Sequence, residues 1–139
     1  MTKTKNKGEG IAMSIYRVSN KLYRHKLRLL PKMLYYVNYI MFGCVIPPSV
    51  KIGEGSRIAH SLGVVINQGS VIGENCYIMH NVTLGKSGVV IGNNVFLGTG
   101  CVIQGPCTIG NDARIGANTY VNFDVPSGAT VVGVKGRII

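Results

Sequence analysis

Two histidines near the middle of the chain could do acid–base chemistry. His60 and His80 each lie two residues after an isoleucine, Ile58 and Ile78, and they are twenty residues apart. Histidine titrates near neutral pH, so an imidazole can accept a proton from an attacking hydroxyl group. Whether the two imidazoles share one site depends on the elements that position them.

A six-residue repeat surrounds both histidines. Each hexad has one aliphatic residue, often followed by glycine, and its fifth position is usually small. Hexads of this kind are typical of a parallel β-helix, in which three of them form one triangular coil of about 18 residues and the aliphatic side chains stack inside. The aliphatic positions are Ile46, Ile52, Ile58, Ile66, Ile72, Ile78, Leu84, Ile91, Leu97, Ile103, Ile109, Ile115 and Val121.

The repeat slips twice, and the first slip explains the spacing of the histidines. Ile58 and Ile66 are eight residues apart instead of six. One coil plus these two extra residues equals the separation of His60 and His80, so the sequence predicts equivalent positions on consecutive coils. Adjacent strands lie about 4.8 Å apart, so the two imidazoles should be near neighbours.

The second slip adds one residue between Leu84 and Ile91. Beyond it, the histidine column continues to Thr99 and Ala117. Residues that leave a regular coil form loops, and loops on a rigid scaffold commonly carry function. Three interpretations of the histidine pair stay open at this level: a polar ladder on the outside of the coil, a general base at a groove between subunits, and an open three-histidine zinc site completed by another subunit.

The charge of the chain is uneven. Residues 1–43 carry nine Lys and Arg and one acid, hence +8, whereas residues 44–139 carry six and four, hence +2 of the net +10. We therefore expect a basic N-terminal helical leader, 1–43, followed by a β-helix domain, 44–139. The leader either packs on the assembly as a solvated helix or contacts an anionic membrane surface through residues 11–32. No nucleic-acid recognition motif accompanies the charge, so no nucleic-acid partner is expected.

Helical spacing predicts two helices in the leader. The first helix begins at Ile11, and Pro31 ends or kinks it. The second helix runs to about Phe42 and is apolar nearly all round, so it needs cover on several sides. The predicted buried face of the first helix consists of Ile11, Ile15, Val18, Leu22 and Leu29.

The four cysteines and the third histidine are expected to have no chemical role. The cysteines (Cys44, Cys76, Cys101 and Cys107) lack the spacing of metal ligands, and three of them occupy the small fifth position of a hexad. No export signal and no apolar run long enough for a membrane span are visible, so we expect buried, reduced thiols in a cytoplasmic protein that binds no metal. His25 is expected on the surface.

The stretch "KIGEGSRIAHSLGVVINQGSVIGENCYIMHNVTLG" resembles the serine acetyltransferase branch of the hexapeptide-repeat acyltransferases. That branch also includes capsule and exopolysaccharide O-acetyltransferases. The resemblance covers roughly residues 44–139 and implies a left-handed parallel β-helix, a homotrimer with active sites between subunits, acetyl-CoA as donor and a hydroxyl group as acceptor. The short helical leader is similar to that of the polysaccharide-modifying members.

The resemblance also implies roles for individual residues. His60 falls on the catalytic histidine of the family, which deprotonates the acceptor hydroxyl. The family binds CoA with backbone and small residues of later coils, and basic residues near the C-terminus could meet its phosphates. On this chain the implied CoA contacts are Gly98, Thr99, Gly100, Ala117, Asn118, Lys135 and Arg137.

Three departures from the family pattern bear on activity. Val45 stands where an aspartate often orients the catalytic histidine, and the loop after "VTLG" is cut to "GKSGVV", without the second histidine of biosynthetic members. His80 stands where serine acetyltransferases commonly have glutamine. We therefore expect His80 to support His60, and a sugar or polysaccharide hydroxyl as acceptor ahead of L-serine. The alternatives are a non-catalytic β-helix assembly protein, favoured by Val45, and a zinc-dependent hydrolyase-type trimer.

Overall fold

The computed structural model describes residues 8–133 and 138. Two helices come first, α1 (Ile11–Arg24) and α2 (Leu29–Phe42), and short parallel strands follow. The strands are β1 (Lys51–Ile52), β2 (Arg57–Ile58), β3 (Val65–Ile66), β4 (Val71–Ile72), β5 (Tyr77–Ile78), β6 (Thr83–Gly85), β7 (Val89–Ile91), β8 (Phe96–Leu97), β9 (Val102–Gln104), β10 (Cys107–Ile109), β11 (Arg114–Ile115), β12 (Tyr120–Val121) and β13 (Thr130–Val131).

The strands form the three faces of a parallel β-helix of about four coils. The first face has the order β1-β4-β7-β10, the second β2-β5-β8-β11-β13, and the third β3-β6-β9-β12. Each strand therefore pairs with the strand one coil away, and every pairing between these strands is parallel. The predicted β-helix is confirmed.

The aliphatic residue of each hexad points into the core. Twelve of the thirteen predicted positions are at most 2% exposed, and the thirteenth, Ile52, is 8% exposed. Each fully buried Ile or Leu side chain contributes roughly 1.5–3 kcal/mol relative to an exposed one. Small residues turn the corners: the Ser56 hydroxyl donates to the Gly73 carbonyl at 2.8 Å and accepts from the Cys76 amide at 2.9 Å.

The predicted buried face of α1 is wrong. Ile11 is 65% exposed and Val18 is 53% exposed, and Leu29 belongs to α2. The buried residues of α1 are Ala12, Met13, Tyr16 and Ser19. Contacts with the first coil and with α2 select this face, because small or hydrogen-bonding side chains fit against backbone there. The Ser19 hydroxyl donates to the Pro31 carbonyl at 3.0 Å.

Two side chains of α1 hold the helix on the first coil. The Tyr16 hydroxyl donates to the Val50 carbonyl at 2.5 Å. The Arg17 guanidinium donates to the carbonyls of Ile52 at 2.5 Å and Gly53 at 2.7 Å, and it lies 3.7 Å from the Glu9 carboxylate. Arg17 is therefore a structural contact of the coil.

Helix α2 is covered on one side only. Its buried residues are Pro31 and Asn38, and the Asn38 amide donates to the Ala12 carbonyl at 2.9 Å. Pro31 lies in the first turn of α2, where its missing N–H is tolerated. The first helix ends at Arg24, earlier than predicted, because Lys26 adopts a left-handed backbone conformation with φ 64°. No helix in 8–133 is long and apolar enough to cross a membrane.

The cysteines are buried free thiols, as predicted. Cys44, Cys76, Cys101 and Cys107 are between 0 and 5% exposed. Burial raises the pKa of each thiol, and that of Cys101 reaches about 12. The thiolate is the reactive form, so these side chains should be inert in the folded protein.

Thiol labelling tests this burial. A colorimetric disulfide reagent at neutral pH is expected to leave the native protein unlabelled and to label four thiols per chain in denaturant. A Ser87→Cys variant, at an exposed position, should add one thiol that reacts before denaturation. Stoichiometric labelling of a native cysteine would contradict the closed corners described above.

Candidate active site

His60 lies in the turn that the first slip creates after β2. His60 and Ser61 both adopt a left-handed conformation, with φ values of 67° and 44°. The Ser61 hydroxyl is buried and accepts a hydrogen bond from the Ala12 amide at 3.2 Å, at the start of α1. The Ile58 amide donates to the Glu9 carbonyl at 3.0 Å. The segment preceding α1 and the first turn of α1 therefore hold the turn that presents His60.

His80 lies directly beside His60 on the next coil. Strands β2 and β5 pair with Ile58 opposite Ile78, which puts the two histidines at equivalent positions. The centroids of their rings are 5.5 Å apart, and the ring planes cross at 80° in an edge-to-face arrangement. The predicted proximity of the two imidazoles is confirmed.

The two imidazoles have different surroundings. His60 is exposed, whereas His80 is half-buried. The Nδ1 atom of His80 is buried and has no hydrogen-bond partner within the described part of the chain. A buried polar atom without a partner costs about 1–3 kcal/mol. An unpartnered buried polar atom of this kind needs an explanation, and a catalytic role is one.

No carboxylate supports either imidazole in 8–133. The ion pair found there joins Arg17 to Glu9. Val45, which stands where the resemblance implies an aspartate, pairs with Val65 of β3, the strand that follows the His60 turn. Within the described residues, the neighbour of the His60 ring is therefore the His80 ring and not a carboxylate.

The five described residues of the predicted CoA contacts lie above the histidines on the same corner. Leu97 pairs with Ile78 and Ile115 pairs with Leu97, so Thr99 and Ala117 continue the histidine column. The Gly100 amide donates to the His80 carbonyl at 3.1 Å, and the Asn118 amide donates to the Thr99 carbonyl at 2.8 Å. Ala117 and Asn118 are exposed at this corner, whereas Gly98 is buried and packs against the next coil.

Lys135 and Arg137, the predicted phosphate contacts, lie outside the described residues. Within 8–133 and 138, no group of three or more His, Cys, Asp or Glu side chains could hold a metal ion. An open three-histidine zinc site would therefore need its third ligand from another subunit. His25 lies exposed at the end of α1, as predicted.

The sequence did not predict a role for Ser61 or the contact between the His60 turn and α1. The hydrogen bond from Ala12 to Ser61 joins residues 49 apart in the chain. The local sequence shows only that a serine follows the histidine. Its spacing does not identify Ala12 as the hydrogen-bond partner of Ser61. The leader thus contributes to the geometry of the candidate site, although its charge pattern suggested a separate role.

Close packing between coils at Gly98 gives a stability prediction. A Cβ atom at Gly98 would lie 2.7 Å from the Ala117 nitrogen and 2.7 Å from the Ile115 oxygen. Gly98→Ala is therefore expected to lower the free energy of unfolding by about 1–3 kcal/mol, since the coils must separate. Chemical denaturation measures this loss.

Gly116 offers a matched control for that substitution. It occupies the same hexad position one coil further on, and a Cβ atom there would meet its nearest neighbours at 3.3 Å. Gly116→Ala is expected to cost much less than Gly98→Ala. If Gly98→Ala lost as little free energy of unfolding as Gly116→Ala, the coils would have to adjust their spacing at Gly98 without cost, and the prediction would be wrong.

Comparisons with known proteins were consistent with this geometry. Residues 88–122 match the family model "Bacterial transferase hexapeptide (six repeats)". Serine acetyltransferase of Synechococcus elongatus is 38% identical over 92% of this chain and 55% of the relative. Serine acetyltransferase of Helicobacter pylori is 36% identical over 92% of this chain and 79% of the relative. The chain thus spans between about half and four fifths of the length of these relatives.

Solved serine acetyltransferases share the fold. The Neisseria gonorrhoeae enzyme in complex with serine superposes with a TM-score of 0.83 at 35% identity, covering 91% of this chain and 55% of that one. A serine acetyltransferase in complex with CoA gives a TM-score of 0.83 at 34% identity, covering 92% and 55%. The match includes the two N-terminal helices as well as the β-helix, since the covered share exceeds the β-helix alone. The chain belongs to the serine acetyltransferase family of hexapeptide-repeat transferases.

Proposed function

We propose that this protein is an acetyl-CoA-dependent O-acetyltransferase in which His60 acts as general base. The observation that carries the proposal is the exposed His60 imidazole packed edge-to-face on His80, beneath a corner of small residues. Relatives named serine acetyltransferases, one of them solved with CoA and one with serine, support the reaction class.

The proposed reaction is a direct transfer without a covalent enzyme intermediate. The neutral His60 imidazole accepts the proton of the acceptor hydroxyl, and the oxygen attacks the thioester carbonyl of acetyl-CoA. A backbone amide at the corner stabilises the oxyanion that forms. The carbon–sulfur bond then breaks, the acetyl ester remains on the acceptor, and the His60 imidazolium returns its proton to the CoA thiolate.

His80 is proposed to position His60. The edge-to-face contact restricts rotation of the His60 ring. Because the two rings are in contact, His60 and His80 would act as one unit in the reaction.

Acetyl-CoA is proposed to lie along the corner above the histidines. Thr99 and the backbone of Gly98 and Gly100 would contact its chain, with Ala117 and Asn118 one coil further on. Lys135 and Arg137 are proposed to contact the phosphates, because charge-assisted hydrogen bonds to phosphate are strong.

The proposed acceptor is a sugar or polysaccharide hydroxyl, with L-serine as the second candidate. The names of the relatives favour serine. The shortened loop "GKSGVV" and the lack of a carboxylate beside His60 within residues 8–133 favour an acceptor other than serine. Release of CoA thiol from acetyl-CoA, with L-serine and a panel of sugars as acceptors, tests this choice. Turnover with serine alone would overturn the sugar assignment and leave the transferase assignment intact.

A homotrimer in the cytoplasm is proposed as the working form. The exposure of His60 on the isolated chain fits a site that a second subunit completes. Four free, buried cysteines fit a reducing compartment. Sedimentation at enzymatic concentrations tests the trimer, and a monomer with full activity would contradict it.

A non-catalytic role in assembly is the second candidate function. The observation that favours it is the lack of an acid near His60 in the described chain. Absence of acetyl-CoA binding by the intact protein would support this role and exclude the transferase.

A further inference from the structure

Helix α2 has an inverted distribution of polar and apolar residues. Its polar residue Asn38 is 1% exposed and faces α1, as described above. The opposite face has helical i, i+4, i+7, i+8, i+11 spacing and consists of large apolar side chains. These are Leu29 at 74%, Met33 at 55%, Tyr36 at 48%, Val37 at 42% and Ile40 at 77% exposed. We call this set the outer α2 face.

The outer α2 face is continuous with further exposed apolar side chains. Leu30 and Met41 flank it on one side and Tyr39 flanks it on the other, and they are 47–64% exposed. Single exposed apolar residues are common on protein surfaces, whereas contiguous sets mark an interaction site. In the fold, the polar Asn38 side chain is therefore buried while the apolar outer α2 face is exposed.

Exposed cations border the outer α2 face at the start of the helix. Arg24, Lys26, Arg28 and Lys32 are exposed, and Lys32 lies beside the apolar stripe on α2 itself. No Asp or Glu occurs in residues 10–53. Arg17 does not belong to this group, because the first coil occupies its guanidinium. Among the described residues, the exposed cations Arg24, Lys26, Arg28 and Lys32 therefore cluster where α1 ends and α2 begins.

We propose that the outer α2 face docks on an anionic lipid surface. An interfacial helix places its apolar face at the boundary of headgroups and acyl chains, with cations at the headgroups and tyrosines at the interface. Each cation near such a surface contributes about 1 kcal/mol. At 14 residues, about 21 Å, α2 lies on a bilayer and does not cross it.

Charge favours lipid over a second copy of the same face. Two outer α2 faces in contact would bring together cations with no acid in 10–53 to pair with them. Anionic headgroups supply the missing charge. This proposal changes the sequence-based hypothesis of membrane contact through residues 11–32: the contact moves to α2 and to the cations between residues 24 and 32.

Flotation with lipid vesicles tests the docking. The probes are vesicles of phosphatidylglycerol and phosphatidylcholine, and vesicles of phosphatidylcholine alone, at low and high salt. Wild type is expected to float with the anionic vesicles, and less so at high salt. Met33→Gln with Ile40→Gln is expected to weaken this binding about tenfold or more, because two apolar side chains leave the lipid.

Two control variants separate the apolar from the ionic contribution. Phe123→Gln with Val132→Gln removes side chains of matched exposure, 51% and 72%, from the β-helix and should bind vesicles as wild type does. Arg28→Gln with Lys32→Gln should lose binding to the anionic vesicles, whereas Lys51→Gln with Lys86→Gln, also exposed, should lose much less.

Two results would overturn the proposal. One is failure of the wild-type protein to float with anionic vesicles at low salt. The other is unchanged flotation of the Met33/Ile40 variant, and a smaller mass of that variant in solution would then assign the face to contacts between copies. Acetyl transfer measured without vesicles on the same variants is expected to equal wild type, so lipid docking and the proposed reaction fail or succeed independently.

Discussion

Replacing His60 by alanine is expected to lower kcat/KM for acetyl transfer by about a thousandfold, the size of a general-base contribution. The side chain is exposed, so its removal leaves the core of the β-helix unchanged. In the proposed reaction the acceptor hydroxyl then loses its base, while the proposed acetyl-CoA contacts are unchanged. Steady-state release of CoA thiol with a saturating acceptor measures the loss.

His25→Ala provides the matched control for His60→Ala. His25 is an exposed histidine at the end of α1 and has no assigned role in the reaction. This variant should retain the wild-type rate. Equal thermal stability and equal acetyl-CoA binding of the two variants would show that the loss at His60 is chemical. A rate for His60→Ala within a few-fold of wild type would exclude His60 as the base.

Replacing His80 by alanine is expected to cost as much as replacing His60. The centroids of the His80 and His60 rings are 5.5 Å apart, and no carboxylate in the described chain could take the place of His80 beside His60. Because His80 is proposed to act through His60, the loss should appear in kcat, with KM for acetyl-CoA unchanged. The double variant should be little slower than either single variant, since residues that act as a unit are not additive.

His80→Gln and His80→Phe distinguish positioning from packing. Phenylalanine preserves an edge-to-face contact but has no nitrogen, whereas glutamine preserves polar atoms without the ring. Recovery of kcat by one of the two variants identifies which property His60 needs. A wild-type rate for His80→Ala would remove His80 from the mechanism and leave its buried Nδ1 atom as a structural feature.

The hexad pattern predicted the β-helix and the position of the histidine pair because both depend on local spacing. An aliphatic residue every six positions determines which side chains point inward. The two extra residues between Ile58 and Ile66 determine that His60 and His80 stack. Coil geometry then converts a difference in residue number into a distance, with no further information required.

The leader was predicted less well because tertiary contacts select its buried faces. The apolar spacing of Ile11 and Val18 suggested a buried stripe, but Ala12 and Tyr16 face the first coil instead. The partner of Tyr16 is a backbone carbonyl 34 residues away, which no periodicity reports. The contact between Ser61 and Ala12 was missed for the same reason.

The most direct test of the proposed O-acetyl transfer with His60 as general base is to detect an acetyl ester on the acceptor, by mass spectrometry of a reaction with acetyl-CoA. The measurement compares wild type with His60→Ala at equal protein concentration and includes acetyl-CoA binding by calorimetry. We expect an acceptor ester with wild type, about a thousandfold less with the variant, and acetyl-CoA binding by both. Wild-type protein that neither binds acetyl-CoA nor acetylates serine or any sugar would contradict it, and would assign the β-helix to a structural role.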